Sequence, residues 1–199
     1  MRRSTARQRL LIAETAATIM AEEGCESFHA AKQKAAARLG LSDVRLLPAN
    51  REIEAAWLAR QQLFGAEEHE QTIASLRQKA VEVMGKLSRF NPRLVGGLLK
   101  GTAGPLSGVQ LHVFADDLKE VAVFLVNEGL TWRAVERQFN ARRPQTCSGF
   151  KFTWRGVPVE ILVFGPDERI APPSPIDGRP MARASIEEVR AMLDSGGSN

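Results

Sequence analysis

Residues 96–114 (GGLLKGTAGPLSGVQLHVF) concentrate residue types that can bind an anion. Glycines let backbone N–H groups approach a phosphate closely, and a lysine ammonium adds positive charge. Two polar side chains follow, spaced two apart on an apolar run, so we expect them on one face of a strand. The alternative is that the glycines serve only the turn between two strands. The segment predicts binding of a nucleotide or another anion by Gly96, Gly97, Lys100, Ser107, Gln110 and His112.

Residues 131–155 form a second concentration of charge. They carry six basic residues and one acid, Glu136, although the whole chain has a formal net charge of only +4. Converging basic side chains would form a surface that attracts anions, and we include Arg133 and Arg137 among the predicted anion ligands. The alternative is a hairpin whose solvated positions happen to be basic. The basic residues of this segment are Arg133, Arg137, Arg142, Arg143, Lys151 and Arg155.

The elements that must position these residues begin with helices. Apolar residues recur at helical spacing through the first ninety residues, and glycines or a proline end the periodic stretches. We therefore expect an N-terminal helical region over residues 1–65 and a further long helix that leads into a second domain, residues 66–199. The predicted helices are Arg7–Glu23, Ser27–Leu39, Asn50–Phe64 and Ala66–Arg89.

The remaining chain consists mainly of short runs rich in β-branched and aromatic residues, which are typical of strands. One helix interrupts them, opened by a capping-box pair, Asp117 and Glu120, and a second capping box at Ser185 and Glu188 opens a last helix. A proline-rich crossing segment precedes that helix, and an irregular tail is expected from Ser195. The sequence predicts an α+β protein whose mixed sheet is flanked by helices. The predicted strands are Leu94–Leu99, Val109–Phe114, Trp132–Phe139, Phe150–Trp154 and Val157–Phe164.

This order of elements resembles that of the polymerase-β-like nucleotidyltransferase superfamily. Val95, Gly96 and Gly97 match the start of that family's motif, and the spacer 98–107 has a fitting length. Further matches are Lys100-Gly101, Ala103, Ser107, Val109 and Leu111. The resemblance implies a nucleotidyltransferase-like sheet, nucleotide binding and, in active members, magnesium held by acidic side chains.

Two positions of the motif depart from the family. Gly108 and Gln110 occupy the places of the two catalytic aspartates, and neither can bind magnesium as a carboxylate does. Glu160 matches the family's third acid and is the one predicted catalytic residue; alternatively, it pairs with an arginine of the basic segment. We therefore expect a catalytically degenerate member with no cofactor. An active transferase using Glu160 with Gln110 or His112, and then needing magnesium, is the other possibility.

The first helices are open to three interpretations. Residues 9–42 partly resemble the start of a TetR-type DNA-binding domain, without its recognition helix, so a nucleic acid is a possible partner. The same helices could instead form a bundle that packs on the nucleotidyltransferase-like half, or bind a protein partner or a second copy of the chain. Such a contact would be filled by Trp57, Leu58, Leu63 and Phe64. Together with residues 174–181, the helical start and the glycine segment also resemble a bacterial family to which no activity is attached.

Composition excludes several other classes. No apolar run is long enough to span a membrane, and no secretory signal pattern is present, so we expect a cytoplasmic protein. Cys25 and Cys147 lie far apart, with no further cysteine or histidine at metal-ligand spacing. Two free thiols are expected, without a disulfide and without a zinc site.

Overall fold

A computed structural model describes residues 2–25, 27–41, 43–64, 66–139, 145–168 and 170–196. Its helices are α1 (Arg2–Glu23), α2 (Phe28–Arg38), α3 (Asn50–Phe64), α4 (Ala66–Lys86), α5 (Gly96–Lys100), α6 (Leu118–Asn127) and α7 (Ile186–Gly196). Its strands are β1 (Arg93–Val95), β2 (Val109–Phe114), β3 (Trp132–Phe139), β4 (Gln145–Trp154) and β5 (Val157–Phe164). The predicted α+β class, with a helical region before a mixed sheet, is confirmed.

The chain divides into two units, which we describe separately. The helical unit comprises Met1–Thr72 and Thr102–Ser107, and the sheet unit comprises Ile73–Gly101 and Gly108–Asn199. The sequence-based domain boundary at residue 65 stays a prediction. Ser42, Arg142, Arg143 and the side chains of Leu63 and Phe64, which the sequence analysis singled out, lie outside the described parts.

Small residues allow the helices of the helical unit to pack closely. α1 contacts both α2 and α3, and alanines at the contacts bring the helix backbones together. Trp57 is buried in this core, while Leu58 is exposed. The buried core consists mainly of Ile12, Ala16, Ile19, Ala31, Ala35, Ile53 and Trp57.

The loop of residues 102–107 belongs to the helical unit because it packs on α1 and α3. A Cβ at Gly104 would lie 2.7 Å from the carbonyl oxygen of Ala21 and 3.3 Å from the Trp57 ring. Gly104 is therefore required by the close approach of α1. Its N–H donates to the hydroxyl of Ser107 (2.8 Å), whose own N–H donates back to the Gly104 carbonyl (3.0 Å).

In the described residues of the sheet unit, five strands form one sheet in the order β1-β2-β5-β4-β3. β2 and β5 are parallel, and every other neighbouring pair is antiparallel. The predicted hairpin of β4 and β5 is confirmed, and Arg155 and Gly156 turn the chain with positive φ angles of 45° and 80°. α6 packs against β4, and α7 packs against β1.

The two faces of the sheet differ in chemistry. Residues paired directly across strands project to the same face. One face carries the fully buried apolar residues Leu111, Ile161 and Phe150, which lie next to each other on β2, β5 and β4. The opposite face, which we name the polar face, carries most of the charged and polar residues predicted to be functional. The core of the sheet unit therefore lies against the first face.

The helix caps agree with those predicted from the sequence, with one difference. Asp117 accepts the Lys119 N–H at 2.9 Å, and Ser185 and Glu188 form a reciprocal capping box. The carboxylate of Glu120, expected to complete a box with Asp117, binds Arg89 at 2.7 Å instead. Cys25 and Cys147 are free thiols, as predicted.

The predicted strand Leu94–Leu99 is wrong in its second half. β1 ends at Val95 because Gly96 has a φ of 77°, outside the extended region, and α5 begins there. The irregular tail also begins later than predicted, since α7 continues through Gly196. Within the described residues, none of the helices has the length and apolar content that a membrane span requires.

Candidate functional site

A single row of paired residues crosses the polar face. It contains three of the predicted site residues, Gln110, Glu160 and Arg133. Gln110 on β2 pairs with Glu160 on β5, which pairs with Lys151 on β4. Arg133 on β3 pairs with Lys151 at one end of the row, and Val95 pairs with Gln110 at the other. The parallel pairing of β2 with β5 thus brings Gln110 and Glu160 side by side.

Glu160 is the centre of a group of charges that we name the carboxylate cluster: Glu160, Arg137 and Lys151. The Arg137 guanidinium donates from Nε to Oε1 and from Nη2 to Oε2, both at 2.6 Å. Lys151 Nζ lies 3.2 Å from Oε2. The bidentate geometry is the strongest form of an arginine–carboxylate contact. The ion-pair alternative that the sequence left open for Glu160 is therefore present in the structure.

The carboxylate cluster keeps Glu160 ionised. Only 5% of the residue is exposed, and burial alone would raise the pKa of its carboxyl. The hydrogen bonds and charge of Arg137, together with the charge of Lys151, outweigh burial and hold the pKa below its ordinary value. A carboxylate with a lowered pKa is a weaker proton acceptor, which disfavours Glu160 as a general base.

Gly96 adjoins the row through Gln110. The space that a Cβ at Gly96 would occupy is filled by the side-chain amide of Gln110, whose Oε1 atom is the nearest atom. The positive φ favours glycine at position 96, and a Cβ there would have to displace the end of the Gln110 side chain. The left-handed backbone at Gly96 is therefore a reason for this glycine that involves no ligand.

The rest of the glycine segment forms α5. Gly97 is the second residue of this helix, Lys100 is its exposed last residue, and Gly101 ends it in the left-handed conformation with φ 75°. The charge of Lys100 also reaches Asp177: a hydrogen bond from the Arg179 backbone chiefly lowers the pKa of that carboxyl, and Lys100 lowers it further. Ser107, the remaining predicted ligand of this segment, belongs to the helical unit, where it closes the turn with Gly104.

His112 is two residues from Gln110 on β2 but has a different environment. Only 1% of it is exposed, and its Nδ1 accepts a hydrogen bond from Arg183 Nε at 3.0 Å. Burial and the positive charge of Arg183 lower the pKa of His112 to about 3. Because Nδ1 is an acceptor, the neutral imidazole carries its proton on Nε2. His112 is therefore neutral at physiological pH.

Arg183 is a residue that the sequence analysis missed. Its guanidinium carbon lies 5.0 Å from the ring centre of Phe114 and 4.9 Å from that of Phe164, which are cation–π distances. A further N–H donates to the Glu168 carbonyl at 3.2 Å. We name His112, Arg183, Phe114 and Phe164 the imidazole cluster. Arg183 follows an irregular proline-rich segment, so no periodicity could have assigned it to this face.

The predicted basic surface is only partly available for a ligand. Arg137 and Lys151 bind Glu160, and Arg155 binds Glu82 on α4 at 2.8 Å. Arg133 is exposed beside Lys151 on the polar face. Arg133 at the end of the row is thus exposed, whereas Arg137 and Lys151 are only partly exposed.

Arg77 on α4 is the second residue that the sequence analysis missed. One of its terminal N–H groups donates to the Leu99 carbonyl of α5 at 3.4 Å, and its buried Nε has no hydrogen-bond partner among the described atoms. Burial lowers the pKa of this guanidinium. The sequence did contain a signal: Arg77 falls four residues after Ile73 and three before Ala80, in the otherwise apolar stripe of the helix.

The residues of the polar face do not fit a magnesium ion. In the described ranges, no three His, Cys, Asp or Glu side chains lie together in a way that could hold a metal ion. Glu160 is the only acid in its row, and two cations already bind its oxygens. Magnesium requires several hard oxygen ligands in octahedral geometry.

Comparisons of the chain with protein-family models, with curated proteins and with solved structures found no match. A functional proposal therefore draws on the resemblance in the sequence and on the geometry of the residues described above.

Proposed function

We propose that this chain is a catalytically degenerate protein of the nucleotidyltransferase-like type, which binds a nucleotide or another anion without transferring a nucleotidyl group. One observation carries the proposal: Glu160 lies beside Gln110 in one row of the sheet, and its charge is neutralised by Arg137 and Lys151. Cations of the chain itself thus surround the one acid that matches the family motif.

The register of the sheet supports the resemblance on which the proposal depends. The motif was matched in two distant pieces, one at residues 95–111 and one at Glu160. The parallel pairing of β2 and β5 makes the second motif position, Gln110, the direct neighbour of Glu160. An acid and a motif position that were related only by sequence order are therefore neighbours in space.

The side chains also account for the expected loss of catalysis. Gly108 has no side chain and Gln110 has no charge, so Glu160 is the only carboxylate that these positions offer. His112 does not replace the missing group, because a buried imidazole with a pKa of about 3 neither accepts a proton efficiently near pH 7 nor reaches solvent. The alternative of an active transferase built on Glu160 with Gln110 or His112 gains no support from this geometry.

The polar face retains the charge that an anion needs. Arg133, Lys151 and Glu160 lie in one row, and Arg137 lies four residues from Arg133 on β3; together they carry three positive charges and one negative charge. An exposed arginine beside a partly compensated lysine attracts phosphate oxygens, and guanidinium binds them in a fork. Because the chain supplies these charges, binding should not require a divalent ion.

Calorimetric titration with ATP and with GTP tests the proposal, performed once in EDTA and once in excess Mg²⁺. We expect binding in both conditions, with affinities that differ by less than about threefold, and no transfer of label from the nucleotide to protein, nucleotide or water. The variant Arg133→Gln should weaken binding, whereas Glu136→Gln, which changes an exposed acid of the same strand, should not. Mg²⁺-dependent binding with label transfer that Glu160→Ala abolishes would establish the active alternative instead.

Other functional interpretations of the sequence stay predictions. DNA binding by the helical unit predicts a steep decrease of duplex affinity with salt. A protein partner or a homodimer formed through the N-terminal helices, and a cytoplasmic location, are likewise open to direct measurement.

A further inference from the structure

Arg77 occupies a position where a charge is unexpected. It lies in the buried stripe of α4, between Ile73 and Ala80, whose side chains are nearly or fully inaccessible. Arg77 itself is half-buried. A charged group loses hydration when it is buried, and arginine cannot avoid this cost by losing its proton. Such a side chain is expected to have an anionic partner.

The described residues of the sheet unit do not provide that partner. Other charged residues of α4 are paired: Glu82 binds Arg155 at 2.8 Å, and Lys86 binds Glu128 at 3.0 Å. Arg77 has only the long hydrogen bond to the Leu99 carbonyl, while its Nε is buried and unpartnered in the described structure. Burial is the only influence on its pKa, with no acid to oppose it. Arg77 is therefore a half-buried cation without a described counter-charge.

A purely packing role does not explain this geometry. An arginine that only covers apolar surface with its methylene groups keeps its guanidinium in water. Here Nε of the guanidinium is buried without a partner among the described atoms, and one terminal N–H group is directed at the backbone of α5, one residue before Lys100. The arrangement brings a second positively charged residue into the neighbourhood of Arg77.

We propose that Arg77 and Lys100 bind the phosphate group of an anionic ligand at α5. The guanidinium donates from the N–H groups that the Leu99 carbonyl does not use, and Lys100, the exposed next residue along the chain, supplies a second positive charge. Phosphate is the chemical class that fits, because its several oxygens can accept from both groups at once. This proposal rests on the proposed function and names the group of the nucleotide or other anion that is held.

Inorganic pyrophosphate and ATP are the probes that test this site, by calorimetry on the full chain without added metal. Arg77→Gln should weaken the binding of both ligands at least tenfold. Arg77→Lys keeps the positive charge but loses the planar set of guanidinium donors, so it should weaken binding less. Lys86→Gln is the matched control, because it removes an equal charge from the same helix, and it should change the affinity less than twofold. Equal losses for pyrophosphate and ATP identify the phosphate as the recognised group, whereas a loss for ATP alone would contradict that assignment.

The stability of the unliganded variants separates ligand binding from a structural role. Removal of an unpaired buried charge should leave the melting temperature of Arg77→Gln equal to or above that of the wild type, and pyrophosphate should raise only the wild-type value. A lower melting temperature combined with an unchanged response to pyrophosphate would show that Arg77 is structural and would overturn the inference.

The same titrations distinguish failure of the inference from failure of the proposed function. Wild-type affinity in both Arg77 variants, together with weakened binding in Arg133→Gln, would overturn the Arg77 site and support anion binding on the polar face. A wild-type chain that binds neither probe would overturn both proposals. If Arg77→Gln does not fold, Arg77→Lys still decides the question, because retained wild-type affinity in that variant contradicts the site.

Discussion

The polar face contains two clusters centred on an arginine, and the two arginines have opposite effects on the charge state of the group they contact. In the carboxylate cluster, Arg137 and Lys151 contact an acid and keep it charged. In the imidazole cluster, Arg183 contacts a buried histidine and two aromatic rings and keeps the histidine neutral. An arginine therefore keeps Glu160 charged and His112 neutral. In both clusters the lowered pKa makes the group a weak proton acceptor near neutral pH.

Acid titration should separate the two clusters most strongly. The folded-state pKa of His112 is about 3 and its ordinary value is 6.5, so the unfolded chain binds the proton more readily. This contribution to stability is complete above pH 6.5 and is lost as the pH falls toward 3, by about 5 kcal/mol in total. Urea unfolding at several pH values should show this loss in the wild type and a reduced slope between pH 6 and 4 in His112→Asn. Equal slopes in the two proteins would contradict the assignment.

Protonation of Glu160 should reduce the free energy of unfolding at a lower pH than protonation of His112 does. Its folded-state pKa lies below the ordinary value of 4.5, so its contribution is present above about pH 4.5 and is lost as the pH falls through the folded-state value. The variant Glu160→Gln should lack this second, more acidic component but keep the loss that starts at pH 6.5. If Glu160→Gln instead lost the component that starts at pH 6.5 and kept the more acidic one, the assignment of the two components would be contradicted.

At neutral pH, breaking the carboxylate cluster should be the most damaging substitution. Glu160→Gln leaves Arg137 and Lys151 without their carboxylate on a buried part of the sheet. Loss of one partner of a buried ion pair costs about 3–5 kcal/mol, and we expect about 3 kcal/mol because 41% of the Arg137 side chain is exposed. Urea unfolding measures the change, and Glu136→Gln, an exposed acid on β3, is the control. A loss below about 1 kcal/mol would show that the ion pair adds little.

Gly96 tests whether Gln110 is held rigidly beside the carboxylate cluster. Gly96→Ala combines an unfavourable φ with overlap between Cβ and the Gln110 amide, so we expect a loss of about 2–3 kcal/mol. Gly101→Ala has nearly the same φ but open space, and should cost about 1 kcal/mol. Gln110→Ala in the Gly96→Ala background should recover the difference. Equal effects of the two glycine substitutions would show that Gln110 yields readily.

The imidazole cluster should be less sensitive to substitution at neutral pH. Arg183→Met removes one hydrogen bond to neutral His112 and two cation–π contacts, for an expected loss of about 1–2 kcal/mol. Arg179→Met, an exposed arginine of the same segment, should lie within about 0.5 kcal/mol of the wild type. NMR titration should also show a higher pKa for His112 in Arg183→Met, since a nearby positive charge is removed. An unchanged His112 pKa would contradict the contact.

Local patterns predicted the fold class, the β4–β5 hairpin and most helix ends, because capping residues and periodicity act over a few positions. The strand predicted through Leu99 failed because the left-handed backbone of Gly96 outweighed an apolar run. The pairing of Glu160 with an arginine of the basic segment was foreseen as an alternative, but the pattern did not identify Arg137 on β3 as the partner. Arg183 and Ser107 could not be placed, because their partners are distant in sequence and no periodic pattern connects them.

Manganese binding monitored by electron paramagnetic resonance tests most directly whether Arg137 and Lys151, rather than a metal ion, neutralise Glu160. Mn²⁺ favours the same oxygen ligands as Mg²⁺ and gives a signal that distinguishes free from bound ion. We predict that no Mn²⁺ binds to the chain in the absence of nucleotide, even when Mn²⁺ is in large molar excess over the protein. One Mn²⁺ bound per chain in the absence of nucleotide, and lost in Glu160→Gln, would contradict the account.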